Sequence, residues 1–193
     1  MGGKYEGNVN FKVASICFDS RLIFNETNGL FIAIKTTKND GHKFIREAYE
    51  KGIRCFVTER PPKKKEKDAS YIIVKDSLLS IQKWAKHHRQ KFKIPILAIS
   101  GSYGKTIIKE WIFHFTKSTY NVIRSPKSYN SKLGVALSVL MLTDKHELGI
   151  FELGISEPGE MDVLKSMTQP THVIITNIST AHIENFENKS QLV

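Results

Sequence analysis

The sequence predicts an α/β protein made of two domains, with a boundary near residue 90. Short apolar runs rich in β-branched residues alternate with stretches of helical periodicity along the 193 residues. After Lys91–Lys93, which is typical of a linker, an apolar run leads into a glycine turn and then a helix. Repeated β/α alternation predicts a parallel sheet with helices on both faces. Ligands of such sheets bind at the carboxyl ends of the strands.

In the first part of the chain we predict three strands and two helices. Gly52 is expected to close the first helix, and Asp76 or Ser77 to cap the second. The second helix has an apolar face and runs to His87–Arg89. The predicted strands are 30–34, 53–57 and 71–74, and the first helix is 43–51.

The second part alternates strands and helices more regularly. This pattern predicts one parallel sheet whose strands all end at the same edge. The predicted strands are 94–100, 121–123, 148–151 and 173–176, and the predicted helices are 107–120, 131–142 and 160–167.

Composition excludes several classes of protein. A content of 40% hydrophobic and 10% aromatic residues is typical of a globular chain. The first residues lack the apolar core of a signal peptide, and no later run could span a bilayer. We therefore expect no membrane insertion and a cytoplasmic location. Cys17 and Cys55 lack metal-ligand spacing, which favours reduced structural thiols.

The net charge of +10 comes from 29 Lys and Arg residues against 19 Asp and Glu residues. Such a balance is compatible with nucleic acid, anionic lipid or a highly charged small substrate. The excess is mainly lysine beside abundant Ile and Asn, which is also typical of AT-rich coding bias. No zinc-finger, RNA-recognition or helix-turn-helix signature is found, so we expect no nucleic-acid partner.

A glycine-containing turn joins the predicted strand 94–100 to the helix that follows. Its two glycines allow a tight turn and a close approach of a ligand to the backbone. The helix directs unpaired N–H groups and the positive end of its dipole at the turn, which favours polyphosphate. Lys105 would contact the outer phosphates of ATP, and Thr106 would bind Mg²⁺. The predicted phosphate loop consists of Gly101, Ser102, Tyr103, Gly104, Lys105 and Thr106.

The spacing within this loop is unusual. Only Ser102 and Tyr103 separate its two glycines, whereas the common phosphate loop has four residues between its first glycine and the Gly-Lys pair. This excludes the ordinary loop of small GTPases and adenylate kinases, and indicates a narrower group of ATP users.

Residues that could bind a metal or take part in catalysis also lie at the ends of two further predicted strands. Glu152 directly follows an apolar run, and its carboxylate could hold Mg²⁺ directly or through water. His182 follows the strand 173–176. A single histidine is more often structural, but its place after a sheet strand favours a role in the site. We therefore predict that Lys105, Glu152 and His182 gather at one edge of the sheet as catalytic residues.

Several motifs together resemble the Mur ligases. Ile99–Thr106, Glu152–Gly154 and Thr176–Glu184 resemble their central domain. Within this family, Ser125–Ser131 and Glu152–Met161 are similar to the MurF type, particularly the form fused to an alanine racemase in some bacteria.

The amino-terminal part carries the resemblance as well. Asp19–Arg21, Gly29–Ile34 and Asp40–Ile45 resemble the uridine-nucleotide-binding domain of the MurE and MurF types. The resemblance implies a small α/β uridine-nucleotide-binding domain over residues 1–90. An incomplete parallel-sheet, P-loop ATP-binding domain would follow over residues 91–193.

The resemblance implies an ATP-driven amide ligation in peptidoglycan synthesis. ATP would phosphorylate the terminal carboxylate of UDP-N-acetylmuramoyl-tripeptide, and the amine of D-alanyl-D-alanine would attack the acyl phosphate. Thr106, Glu152 and His182 would be metal ligands, with His182 serving the second metal or the acyl phosphate. The implied substrate contacts are Ser20 and Arg21 for the uridine diphosphate and Asn130 for the substrate.

The chain departs from the family pattern in two places. Tyr103 stands where Asn is common, and Ile107 where a second Thr is common. Backbone amides do most of the phosphate binding, so we expect binding to survive. The family also continues through a lysine, usually carbamylated, and Lys189 is too close to His182 to supply it.

We interpret the chain as a fragment that lacks the C-terminal ligase domain, which binds the incoming amine, and any racemase portion. We expect no ligase activity from the chain alone, with weak ATP binding retained. A sheet without its later strands would also expose an edge and apolar faces, which favours association or instability.

Two alternatives stay open at this point. Another ligase of the superfamily, of the MurE or folylpolyglutamate synthase type, would differ in its substrate. A non-catalytic nucleotide-binding remnant would bind the UDP-sugar without hydrolysing ATP.

Overall fold

The computed structural model describes residues 2–7, 12–23, 28–37, 39–62 and 64–179. The chain forms two compact units, residues 1–80 and 81–193, and the helix Ser77–Arg89 spans the division between them. Among the described residues, no helix has the length and apolar character needed to cross a bilayer.

The first unit contains a five-stranded mixed sheet with the strand order β1-β5-β4-β3-β2. Strands β2 to β5 are parallel to one another, and β1 pairs antiparallel with β5. The sequence did not predict β1 or β2, because each has only three residues and neither is an apolar run. The strands are β1 Lys4–Glu6, β2 Ser15–Cys17, β3 Gly29–Ile32, β4 Cys55–Thr58 and β5 Ser70–Ile73.

Aromatic side chains from the three central strands form the core of the first unit. Phe56 stacks on Tyr71 with ring centroids 5.4 Å apart and meets Phe31 edge-on at 6.3 Å. The helix α1, Ile45–Glu50, packs on this core through Ile45 and Ala48. Two short 3-10 helices, Ser20–Leu22 and Gly41–Phe44, complete the described part of this unit.

The second unit confirms the predicted parallel sheet. Its four strands have the order β7-β8-β6-β9, and every pairing is parallel. The strands are β6 Ile96–Ser100, β7 Val122–Arg124, β8 Leu148–Glu152 and β9 His172–Ile175. The helices are α2 Ser77–Arg89, α3 Lys105–Thr116, α4 Lys132–Leu140 and α5 Glu160–Thr168.

Strand register brings the candidate residues to one edge of this sheet. Ile99 on β6 lies opposite Glu152 on β8, and Ser100 lies opposite Ile175 on β9. The loop after β6, the end of β8 and the residues after β9 therefore leave the sheet at the same edge. Helix α3 begins at Lys105, two residues earlier than predicted, because Gly104 adopts the left-handed conformation and serves as the N-cap.

Helix α3 exposes a row of large apolar side chains. Ile107, Trp111 and Phe115 are spaced four residues apart and are exposed by 59%, 62% and 74%. Val173 and Ile175 on the edge strand β9 are also more than half exposed. Exposed apolar surfaces of this kind favour association with another protein chain. The association expected from the sequence stays a prediction.

Arg89 fixes the end of α2 within the second unit. Its side chain is buried, and its guanidinium donates to the carbonyl oxygens of Thr168 at 2.8 Å, Ile94 at 3.3 Å and Phe92. Burial lowers the pKa of Arg89. Arg89 thus joins the end of α2 by hydrogen bonds to the segment interpreted as a linker, to the residues before β6 and to the end of α5.

We expect Arg89→Met to lower the free energy of unfolding by about 2–3 kcal/mol, because it leaves several carbonyl oxygens without a donor. Chemical denaturation followed by circular dichroism measures the change. Lys86→Met, at an exposed position of the same helix, is the matched control and should change stability little. Equal effects of the two substitutions would show that the Arg89 contacts contribute nothing to stability.

Candidate functional site

The loop between β6 and α3 has the backbone that its two glycines allow. Gly101 has φ 126° and Gly104 has φ 80°, both in the region that favours glycine. A Cβ atom on Gly101 would overlap the hydroxyl of Thr176 and lie 2.8 Å from the carbonyl oxygen of Asn177. A Cβ on Gly104 would meet no described atom within 4 Å. Gly101 is therefore required for space and conformation, and Gly104 for conformation.

Residues after β9 hold this loop in place. The N–H groups of Ser102 and Tyr103 donate to the carbonyl oxygen and the side-chain oxygen of Asn177, at 3.0 and 3.1 Å. The Thr176 hydroxyl donates to the Tyr103 carbonyl oxygen at 2.6 Å. Two loop amides are thus used within the protein, and the first N–H groups of α3 are the donors left for an anion.

Tyr103 contributes to these bonds through its backbone, while its side chain is largely exposed. The frame of the loop therefore does not depend on the side chain at this position. This explains how the loop accommodates tyrosine where the family commonly has asparagine.

Lys105 folds back over the loop that precedes it. Its Nζ donates to the carbonyl oxygens of Gly101 at 2.5 Å and Ser102 at 3.2 Å. Phosphate oxygens would compete with these carbonyls for the same ammonium group. The lysine is thus held beside the helix N-terminus at which an anion would bind.

Glu152 is the centre of the polar contacts at this edge. Its side chain is only 1% exposed, and its Oε2 accepts a hydrogen bond from the Thr106 hydroxyl at 2.8 Å. Its Oε1 accepts one from the Asn130 side-chain amide at 2.7 Å, and its backbone N–H donates to Ser125 Oγ at 3.1 Å. The structure therefore brings together Thr106, Glu152 and Asn130.

This donor set fits Mg²⁺ bound together with phosphate. No group of three or more His, Cys, Asp or Glu residues that could hold a metal occurs within the described ranges. Mg²⁺ commonly binds through one or two carboxylates, substrate phosphates and water. The Glu152 carboxylate and the Thr106 hydroxyl, which are in contact beside the loop, supply oxygen ligands of this type.

His182 lies outside the described residues, so its predicted place beside Lys105 and Glu152 stays a prediction. Sequence reasoning missed Thr176 and Asn177 as supports of the loop. Their position at the end of the predicted strand 173–176 and directly after it was the available signal, but the strand order that sets β9 beside β6 was not known.

In the first unit, Ser20 and Arg21 are engaged in local contacts. Ser20 is buried and its hydroxyl donates to Glu47 Oε2 at 2.9 Å. The Arg21 side chain is 84% exposed and forms an ion pair with Asp19 at 2.6 Å, and this pairing lowers the pKa of Asp19. Their roles as substrate contacts stay predictions.

The Asp40–His42 turn, part of the motif in the first unit, supports the fold. His42 Nδ1 lies 2.7 Å from Asp40 Oδ1, and His42 Nε2 accepts the backbone N–H of Glu59 at 2.9 Å. Burial of Asp40 works against its ionisation, but hydrogen bonds from His42 lower the pKa of Asp40 to about 2. The motif thus joins the turn to the residues after β4.

Two family models match nearly the whole chain. The Mur ligase family catalytic domain matches residues 12–89, and the Mur ligase middle domain matches residues 99–193. The chain belongs to the Mur ligase family. The resemblance that the sequence motifs suggested is confirmed.

Several of the known proteins that are similar to this Mur ligase chain are of the MurF type. The UDP-N-acetylmuramoyl-tripeptide–D-alanyl-D-alanine ligase of Synechocystis sp. is 34% identical over 174 residues, which cover 90% of this chain and 38% of that protein. MurF from Acinetobacter baumannii has a TM-score of 0.89 and 26% identity, covering 98% of this chain and 42% of its own.

A second solved structure was determined with a nucleotide. MurF from Thermotoga maritima in complex with ADP has a TM-score of 0.79 and 26% identity, covering 92% of this chain and 40% of its own. The chain spans about two fifths of the length of these relatives.

We expect Gly101→Ala to destabilise the second unit more than Gly104→Ala. Both substitutions force a positive φ on alanine, at about 1–2 kcal/mol, but only Gly101→Ala also adds a clash with Thr176 and Asn177. Chemical denaturation of the two variants measures the difference. Equal losses would mean that the loop can move away from the residues after β9.

Proposed function

We propose that the chain is the uridine-nucleotide-binding and ATP-binding part of a MurF-type ligase. The proposed reaction joins D-alanyl-D-alanine to UDP-N-acetylmuramoyl-tripeptide through an acyl phosphate formed with ATP. The observation that carries the proposal is the contact between Thr106 and Glu152 beside a glycine loop at the N-terminus of α3. The similarity to MurF enzymes, one of them solved with ADP, supports it.

Each residue of the site has a defined task in this proposal. The first N–H groups of α3 bind the phosphates of ATP, and Lys105 exchanges its loop carbonyls for phosphate oxygens. Thr106 and Glu152 would hold Mg²⁺. Bound Mg²⁺ would neutralise charge on the transferred phosphoryl group.

Other residues act beside this centre. Asn130 orients Glu152 through its side-chain amide, and we propose that it also contacts the substrate. We keep His182 as a proposed metal or acyl-phosphate ligand on the strength of the sequence motif. Ser20 and Arg21 are the proposed contacts of the uridine diphosphate.

We further propose that the domain boundary lies near residue 90 and that the protein is cytoplasmic. The family matches, which end at residue 89 and resume at residue 99, support a boundary after α2, whereas the two compact units of the structure divide within α2, between residues 80 and 81. ATP and a UDP-linked precursor as substrates support the location. The portion that binds D-alanyl-D-alanine is proposed to be absent from these 193 residues.

Titration of the chain with ATP, with and without Mg²⁺, tests the proposal. Lys105→Met should weaken ATP binding about 10–100-fold under both conditions, because it removes a charge-assisted contact to phosphate. Glu152→Gln should instead remove most of the increase in affinity that Mg²⁺ produces. Lys145 is an exposed lysine three residues before β8, at the opposite end of that strand from Glu152. Lys145→Met removes the same charge and is the matched control.

Failure of the wild-type chain to bind ATP would overturn the proposed ATP site. A second titration with UDP-N-acetylmuramoyl-tripeptide, together with an ATP-hydrolysis assay, tests the alternative of a non-catalytic remnant, because such a remnant would bind this ligand without hydrolysing ATP. With both ligands and D-alanyl-D-alanine present, we expect no product from the chain alone. Turnover would refute the view that an essential portion is missing.

A further inference from the structure

Lys109 is a completely buried lysine next to the proposed Mg²⁺ site. It lies on α3, three residues after Thr106, and its side chain is 0% exposed. A buried ammonium group is costly unless its three N–H donors meet acceptors. The residues that surround its Nζ therefore show what stabilises a buried ammonium group at this position.

The Nζ of Lys109 has three oxygen partners. It lies 3.7 Å from Glu152 Oε2 and 3.3 Å from Glu110 Oε1, and it donates to the carbonyl oxygen of Lys127. Glu110 is partly exposed and is also paired with Arg124 at 2.9 Å. Glu152, in contrast, is almost fully buried, so Lys109 is its counter-charge within the described contacts.

The hydrogen bond from Lys109 to the Lys127 carbonyl oxygen also stabilises the position of Glu152, in addition to the direct ion pair. Lys127 has φ 47°, an uncommon conformation for a residue with a side chain. It belongs to the loop that carries Ser125 and Asn130, and both of these bind Glu152. By donating to this loop, Lys109 holds in place the segment that contacts the Glu152 backbone through Ser125 and the Glu152 carboxylate through Asn130.

We propose that Lys109 is a positioning residue for the Mg²⁺ that accompanies ATP, acting through Glu152. The inference rests on the proposed ATP site. Its charge compensates the buried carboxylate, and its contact with the Lys127 carbonyl fixes the loop beside it. Without Lys109, Glu152 loses its buried counter-charge and turns toward other partners, so the oxygen ligands are no longer aligned.

The test measures the ratio of ATP affinities with and without Mg²⁺ for four chains. These are the wild type, Lys109→Met, Glu152→Gln and the double variant. We expect Lys109→Met to lower the ratio about 10–100-fold, the range found when groups behind metal ligands are removed. The double variant should match Glu152→Gln, because the lysine acts through that carboxylate. Lys145→Met again controls for loss of one positive charge.

Each outcome decides the inference. A wild type that binds no ATP overturns the proposed function and this inference together. An unchanged ratio in folded Lys109→Met, or a double variant with a lower ratio than Glu152→Gln, overturns the inference alone. If Lys109→Met does not fold, the double variant should recover folding because it removes both buried charges. A double variant that also fails to fold overturns the inference, since the lysine then serves the fold without Glu152.

Discussion

The buried carboxylate of Glu152 is the constraint around which the second unit is built. A charge that is 1% exposed must be compensated by donors and by an opposite charge. Those groups come from α3, through Thr106 and Lys109, and from the loop before α4, through Asn130. The hydrogen bonds and the ion pair of one carboxylate therefore bring separate segments of the chain together at the edge where the strands end.

The short glycine loop, which we propose binds phosphate, uses its backbone donors differently from the longer common phosphate loop. Two of its amides are committed to Asn177, so fewer backbone donors can surround a phosphate. More of the attraction must then come from the N-terminus of α3 and from the ammonium of Lys105. In exchange, the hydrogen bonds to the residues after β9 hold the loop in one conformation, so binding requires less ordering of the backbone.

Much of the site could be predicted because strand ends are visible in the sequence. Apolar runs located β6 and β8, and this placed Lys105, Thr106 and Glu152 at one edge before any contact was known. The contact of Asn130 with Glu152 depends on how a loop folds over the strand ends, which periodicity does not reveal. Strand β1 was missed because its residues are polar and its pairing is antiparallel at the sheet edge.

Helix α3 shows why amphipathic periodicity alone would misplace this site. Among the residues of α3, Lys109 is the fully buried one, whereas Trp111 and Phe115 are exposed. The usual rule would turn the aromatic residues inward and the lysine outward. The opposite orientation is maintained because the inner face meets a buried carboxylate, and an ion pair with Glu152 satisfies that charge where an aromatic ring could not. The chemistry of the strand ends therefore acts together with apolar burial in setting which side of α3 faces the sheet, because Ile112 and Phe113, three and four residues after Lys109, are half-buried on the same face.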